Sequence, residues 1–321
     1  MGIYGFMKKI PGGILVVPLL IGAVINTVFP NLFSSLGGMT QALFASGTLA
    51  FAGLILFATG ATLDIKDIST SLKRGGVLSL TKLILAFVVS FLFVKAFGLA
   101  GVLGVNSLAF VSAMCSSNPG VYLGVVDECG DSADKGNYAL LNIVAMPAIP
   151  VFIISTASNS GFNYLEIVTV FVPFILGIIV GNLDKGVAKL FNATIPIALP
   201  FLGFCFGASV NLVSAVKAGL GGLLLVAVYL IINAVVLIPV DRLVLKRPGY
   251  AGAAMCSTAG ICMAVPAMMG AGYEQYAQDA VSQLALTVII TSFAAPYLAK
   301  WALKSWSKKH PDAKTSISEQ G

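Results

Sequence analysis

Residues 113–120, Ala113-Met114-Cys115-Ser116-Ser117-Asn118-Pro119-Gly120, open with the same four residues as Ala254-Met255-Cys256-Ser257-Thr258-Ala259-Gly260. Each stretch lies inside a long apolar run and interrupts it. Pro119 withholds a hydrogen-bond donor and crowds the preceding turn, while Gly120 and Gly260 permit backbone angles that other residues avoid. Gly60-Ala61, in FATGATL, matches Gly207-Ala208, in FCFGASV, and Pro18 with Gly22 matches Pro173 with Gly177. The matches keep their order along the chain, so each copy holds five apolar runs. Five is odd, and the second copy must then enter a membrane from the opposite face. The expectation is a pair of inverted repeats, 1–158 and 159–303, followed by a polar tail, 304–321.

Composition places these runs in lipid. Of 321 residues, 58% are apolar and 10% charged, whereas a soluble chain carries roughly 25% charged residues. A bilayer core about 30 Å thick needs about 20 apolar residues in a helix. Ten runs qualify, at roughly 11–29, 43–63, 76–97, 105–126, 137–158, 165–183, 194–212, 219–240, 250–271 and 281–303. Lipid offers no partner to free backbone groups, so the runs are expected to be helices. The fold class expected is an all-α membrane protein of about ten transmembrane helices, with helices 4 and 9 discontinuous. The first run lacks an A-x-A cleavage site and reads as a retained span.

Ten spans put sixteen of the 19 Lys and Arg on one side, among them Lys8, Lys66, Arg74, Lys135, Arg247 and Lys304. Only Lys95 and Lys217 fall on the other side, and Lys82 falls within a span. Lys and Arg are retained in the cytoplasm, which makes both termini cytoplasmic. The net charge of +6 is therefore a topological signal and calls for no nucleic-acid partner. His310, the single histidine, lies in the polar tail, which leaves no His-based metal site or Ser-His-Asp triad. The five cysteines show no CxxC spacing and no GxxxxGK[ST] motif is present, so neither a metal, a cofactor nor ATP is expected. An intramembrane enzyme would need a nucleophile–base pair at depth, and none is visible.

The polar residues at depth carry the functional expectation. Lys82 sits mid-span, where an ammonium must face the bundle interior or find a partner. It can neutralise the C-terminal ends of the broken helices or bind a substrate carboxylate directly. Broken helices expose backbone dipoles near the midplane, where an anion can be held. Ser116, Ser117, Asn118, Gly120, Ser257 and Thr258 are the expected substrate contacts there. Asn142 and Gln283, at equivalent positions, are expected to line a polar cavity behind the breaks. Asp127 and Glu128, together with Lys82, are the candidates for carrying a coupling proton, since no Asp or Glu lies in the apolar centre of any run.

With these residues in view, the chain resembles the bacterial 2-keto-3-deoxygluconate permease family. The likeness runs through KKIPGGILVVPLLIGAVINTVFP at 8–30, FATGATL at 57–63, Thr81-Lys82, SSNPGVY at 116–122, LGIIVGNLD at 176–184, FCFGASVNL at 204–212 and AGAAMCSTAG at 251–260. The resemblance implies a proton-coupled importer of a small anionic sugar acid in the bacterial inner membrane. It also implies the ten-span architecture of bile-acid and sodium–proton carriers, with a panel of spans 1, 2, 6 and 7 and a core of 3–5 and 8–10. A sodium-coupled carrier of another small organic anion is the alternative.

Overall fold

The computed structural model describes residues 2–9, 13–63, 75–130, 132–158, 164–210, 212–213, 219–270 and 272–310. These residues are helical, with no strand among them beyond an isolated bridge between Val102 and Val105. The first half contains α1 (Ile3–Lys9), α2 (Gly13–Val28), α3 (Leu32–Leu36), α4 (Gly38–Phe44), α5 (Thr48–Thr62), α6 (Gly75–Phe97), α7 (Ser107–Met114), α8 (Pro119–Cys129), α9 (Ser132–Val144) and α10 (Ala148–Ala157). The second contains α11 (Tyr164–Leu183), α12 (Lys185–Phe191), α13 (Thr194–Ser209) and α14 (Gly219–Pro239), which a π-helical turn (Val240–Val244) prolongs. Then come α15 (Tyr250–Ala254), a 3-10 turn (Gly260–Ala264), α16 (Val265–Met268) and the long α17 (Glu274–Ser307).

Among the described residues, six helical runs are long and apolar enough to cross a membrane, and α4 with α5, bent by 54°, makes a seventh if the two are one span. Gly13–Val28 and Val168–Leu183 are apolar but shorter, and 250–268 is divided among short pieces. Burial is arranged for lipid. Along α6, Leu80, Ile84 and Phe87 face outward while Ser79, Lys82 and Ser90 are buried. Val172, Ile175, Leu176 and Ile179 of α11 are likewise exposed. A chain that points its large apolar side chains out and its polar ones in is reversed for water and correct for a bilayer.

Two helix pairs are drawn together by glycine. In the seam of α2 with α13, a Cβ on Gly203 or Gly207 would land on the carbonyls of Leu15 or Leu19. In the seam of α5 with α11, a Cβ on Gly60 or Gly177 would land on the carbonyls of Phe174 or Phe57. Small residues let backbones approach where lipid supplies no hydrophobic drive. Each seam ends in the same device. Asn26 Nδ2 donates to the Val210 carbonyl at 3.2 Å, just past α13, and Asn182 Nδ2 donates to the Leu63 carbonyl at 3.0 Å, just past α5. Both carbonyls belong to extended residues that close their helices. The seams join through α5 and α13 into a four-helix layer, and the remaining long helices pack as a bundle beside it.

Candidate functional site

Within the bundle, α7 stops at Met114 and α8 starts at Pro119, while α15 stops at Ala254 and the 3-10 turn starts at Gly260. The two gaps lie side by side and satisfy one another. Asn118 N–H donates to the Ser257 carbonyl at 2.9 Å, and Ala259 N–H donates to Ser116 Oγ at 2.9 Å. Ser117 Oγ donates to the Met255 carbonyl at 3.0 Å. Thr291 Oγ1, from α17, accepts from Thr258 N–H at 3.0 Å. Buried backbone groups freed by unwinding thus find partners, as a low-dielectric interior requires. Asn118 then restarts the helix: its side-chain oxygen accepts from the N–H groups of Gly120 (3.0 Å) and Val121 (3.2 Å), and Pro119 occupies the first turn, where its missing donor costs nothing.

Beside the gaps a cavity of about 610 Å³ opens between the layer and the bundle. The two walls differ in chemistry. The layer contributes Ile14, Leu15, Ile55, Leu56, Ile195 and Leu199, with Thr59 the one hydroxyl among its lining residues. The bundle contributes most of the polar groups, Asn118, Tyr138, Asn142 and Ser292, together with Gly120, Gly124 and Gly260 and apolar residues such as Val121, Val125, Met146, Ile261 and Val288. At the mouth, Lys300 Nζ and Glu128 Oε2 pair at 3.2 Å, both largely exposed. At the inner end Leu15 lies against the bare α-carbon of Gly260, where a Cβ would meet its side chain at 2.7 Å.

The residues singled out in the sequence fall into three groups. Asn118, Gly120, Asn142 and Glu128 line the cavity; the side chain of Asp127 lies outside the described residues. Ser116, Ser117, Ser257 and Thr258 are buried at the gaps, where their hydroxyls bind backbone or Thr291. Lys82 is fully buried behind the gaps, away from the cavity lining. Its Nζ donates to Asn233 Oδ1 at 2.5 Å and to the Tyr229 hydroxyl at 3.4 Å. Tyr229 in turn donates to the Ser116 carbonyl at 3.1 Å, so the ammonium reaches the first gap through one phenol. Gln283 is elsewhere: its amide accepts from Asn106 N–H (3.0 Å) and donates to the Gly104 carbonyl (2.8 Å), holding the turn before α7.

Two buried carboxylates escaped the sequence reading. Asp134, in α9, pairs with Arg247 and accepts from the Tyr250 hydroxyl, tying α9 to the start of α15. Asp241 accepts from Gly252 N–H at 3.0 Å. It caps α15 from a distance, because Gly249 at the N-cap has no side chain to do so. Both sit at helix ends, outside the apolar centres where a search for membrane carboxylates looks first.

A family model described as 2-keto-3-deoxygluconate permease matches residues 4–308. The chain belongs to this family. It is 34% identical to 2-keto-3-deoxygluconate permease 1 of Salmonella typhimurium over 312 residues, covering 96% of this chain and 98% of the relative. It is 31% identical to the Bacillus subtilis 2-keto-3-deoxygluconate permease over 317 residues, 96% of each chain, and 33% identical to that of Xanthomonas euvesicatoria pv. vesicatoria over 306 residues. The family's members are permeases, transporters rather than enzymes. With its apolar helices, the chain is a multi-pass membrane protein.

Proposed function

We propose that this protein is a secondary active importer of a small sugar acid such as 2-keto-3-deoxygluconate, driven by the proton gradient across the bacterial inner membrane. The cavity carries the reading: it lies between a nearly all-apolar wall on one helix group and a wall on the other that holds most of its polar groups, and it ends where two helices are broken. A carrier needs this division. The bundle holds the solute, and the layer offers a surface that grips nothing and along which the bundle can shift to present the site to either face. Names borne by relatives across the chain's whole length support the solute class.

The ten-span, inverted-repeat architecture belongs to the same reading. Gly22 and Gly207 meet in one seam, and their sequence equivalents Gly177 and Gly60 lie in the other. The bonds Asn26–Val210 and Asn182–Leu63 repeat the relation at the helix ends. Short α2, short α11 and divided α15–α16 supply the three spans that length alone does not count. With Lys and Arg retained inside, both termini and the Glu128–Lys300 mouth face the cytoplasm, and the conformation is open inward.

Lys82 offsets the carbonyl ends of α7 and α15 and sets the charge of the gap without touching solute. Ser116, Ser117, Ser257 and Thr258 hold the gap's shape. Asn118, Gly120 and Asn142 face the solute; Gln283 anchors the turn before α7. Lys82 is the first choice for proton exchange, with Asp127 and Glu128 as the alternatives. Uptake of labelled 2-keto-3-deoxygluconate into proteoliposomes is the test. An inward-directed proton gradient should drive accumulation with choline in place of sodium, and preloaded solute should accelerate counterflow. Accumulation that needs sodium and ignores the pH gradient would replace the proton by sodium, and no saturable uptake would overturn the carrier.

A further inference from the structure

Ser292 is fully buried, lines the cavity, and its hydroxyl has no hydrogen-bond partner. Its neighbours make this unusual. On the same helix, α17, Ser282, Thr287, Ser305 and Ser307 each give their hydroxyl to a carbonyl in the preceding turn, and Thr291 bonds Thr258. A helical hydroxyl normally settles in that way; Ser292 does not. Four residues on stands Pro296, also in the cavity wall. Proline has no N–H, so the Ser292 carbonyl lacks its helical donor as well. One residue of the cavity wall therefore leaves its hydroxyl unpaired and its carbonyl without the usual helical donor, and an unsatisfied buried polar group calls for an explanation.

Its level in the cavity follows from the mouth. Glu128 and Lys300 are paired; eight residues back along each helix stand Gly120 and Ser292. Both intervals are about 12 Å of helix, and Gly120–Gly124–Glu128 and Ser292–Pro296–Lys300 repeat every four residues, each on one face. Thr291, bonded at the second gap, fixes the same height. Ser292 therefore stands beside the N-terminus of the eleven-residue α8, whose dipole favours negative charge. Asn118 there spends one amide hydrogen on the Thr258 carbonyl at 3.4 Å and keeps a second. Below it, Gly120 and Gly124 are bare: an added Cβ would meet nothing within 4 Å at Gly124 and only the Asn118 side-chain oxygen, at 3.4 Å, at Gly120. Neither glycine is needed for helix packing, so their smallness keeps the bore open.

We infer that Ser292, Asn118 and the Gly120–Gly124 face of α8 form the solute subsite. The carboxylate sits at the start of α8, the adjoining oxygen binds Ser292, and the carbon chain lies along the two glycines toward the mouth. This rests on the sugar-acid carrier reading and adds to it which groups hold the acid and what limits its size.

The purified full chain, titrated calorimetrically with 2-keto-3-deoxygluconate, tests both. Ser292→Ala should weaken binding about tenfold or more, the loss of a hydrogen bond to a charged or polar ligand group, with an unchanged or raised melting temperature because an unpaired hydroxyl is removed. Gly124→Leu should keep or raise the melting temperature, since leucine favours the helix, yet lose binding by filling the bore. Wild-type affinity in both variants would overturn the subsite while leaving the carrier intact; wild-type affinity in either one would remove that residue from it. A wild-type protein that binds no sugar acid would overturn the carrier reading itself.

Discussion

The four-helix layer and the bundle beside it meet the same demand, close helix contact without water, by opposite means. In the layer, glycines bring carbonyls against neighbouring α-carbons and almost nothing polar is spent: one asparagine closes each seam. In the bundle two helices are interrupted, and every interruption is answered by a hydroxyl, an amide or a backbone group across the gap. The seams commit backbones to one register. The gaps gather polar groups beside the cavity. A carrier needs both, a stiff frame and a polar body that it can shift against.

Removing the bundle's buried charge should have the largest effect. Lys82→Met leaves Asn233 and Tyr229 in place and takes away the amine that donates to both. Uptake should fall to background while the protein still inserts and purifies. Uptake within threefold of wild type would show that the gap does not depend on this charge.

Next come the seams. Gly60→Val and Gly207→Val each drive a side chain into a facing carbonyl, at a cost of about 3 kcal/mol or more. If the seams are related by the inverted repeat, the two losses in melting temperature should agree closely. A large loss at one and none at the other would break the equivalence of the halves.

These positions also mark what the sequence could and could not disclose. Pro119, Asn118 and Gly260 interrupt apolar runs, so the gaps were legible letter by letter. Lys82 was conspicuous because no other Lys, Arg, Asp or Glu falls at such depth, yet its partners on α14 were not, since Tyr229 and Asn233 lie some 150 residues away. Position alone misled for Gln283. Equivalence with Asn142 suggested a cavity, but its amide is consumed by the turn at Gly104–Asn106. Ser292 was invisible beside Thr291, because adjacent hydroxyls on one helix read alike until the fold pairs one with Thr258 at the gap and leaves the other unpaired in the cavity wall. Pro296 was the available signal, and it says only that one carbonyl is free.

A smaller effect is expected from the cap that starts α8. Asn118→Ala removes the acceptor for two N–H groups, worth about 1 kcal/mol in stability, and one link to the second gap. Uptake should drop about tenfold, through KM more than through the maximal rate, if the amide faces the solute as proposed. A stability loss with unchanged KM would confine Asn118 to the frame.

The smallest effect belongs to the mouth. Glu128 and Lys300 are each 63% exposed, and an ion pair in such surroundings is worth roughly 0–1 kcal/mol and is screened by salt. Both partners lie on the bundle, so breaking the pair frees no contact between bundle and layer. Glu128→Gln and Lys300→Met should therefore each change uptake by less than about twofold at 0.15 M salt, and the double variant should match the sum of the singles within a few tenths of a kcal/mol. Lys300→Met has one further consequence. It removes a positive charge from the mouth of the cavity, so exchange of a preloaded anion should slow slightly more at low salt than at high salt. A strong loss in Glu128→Gln, with a pH profile shifted from wild type, would reverse this ranking: the carboxylate would then be the proton carrier, and the coupling would sit at the mouth rather than at the gap.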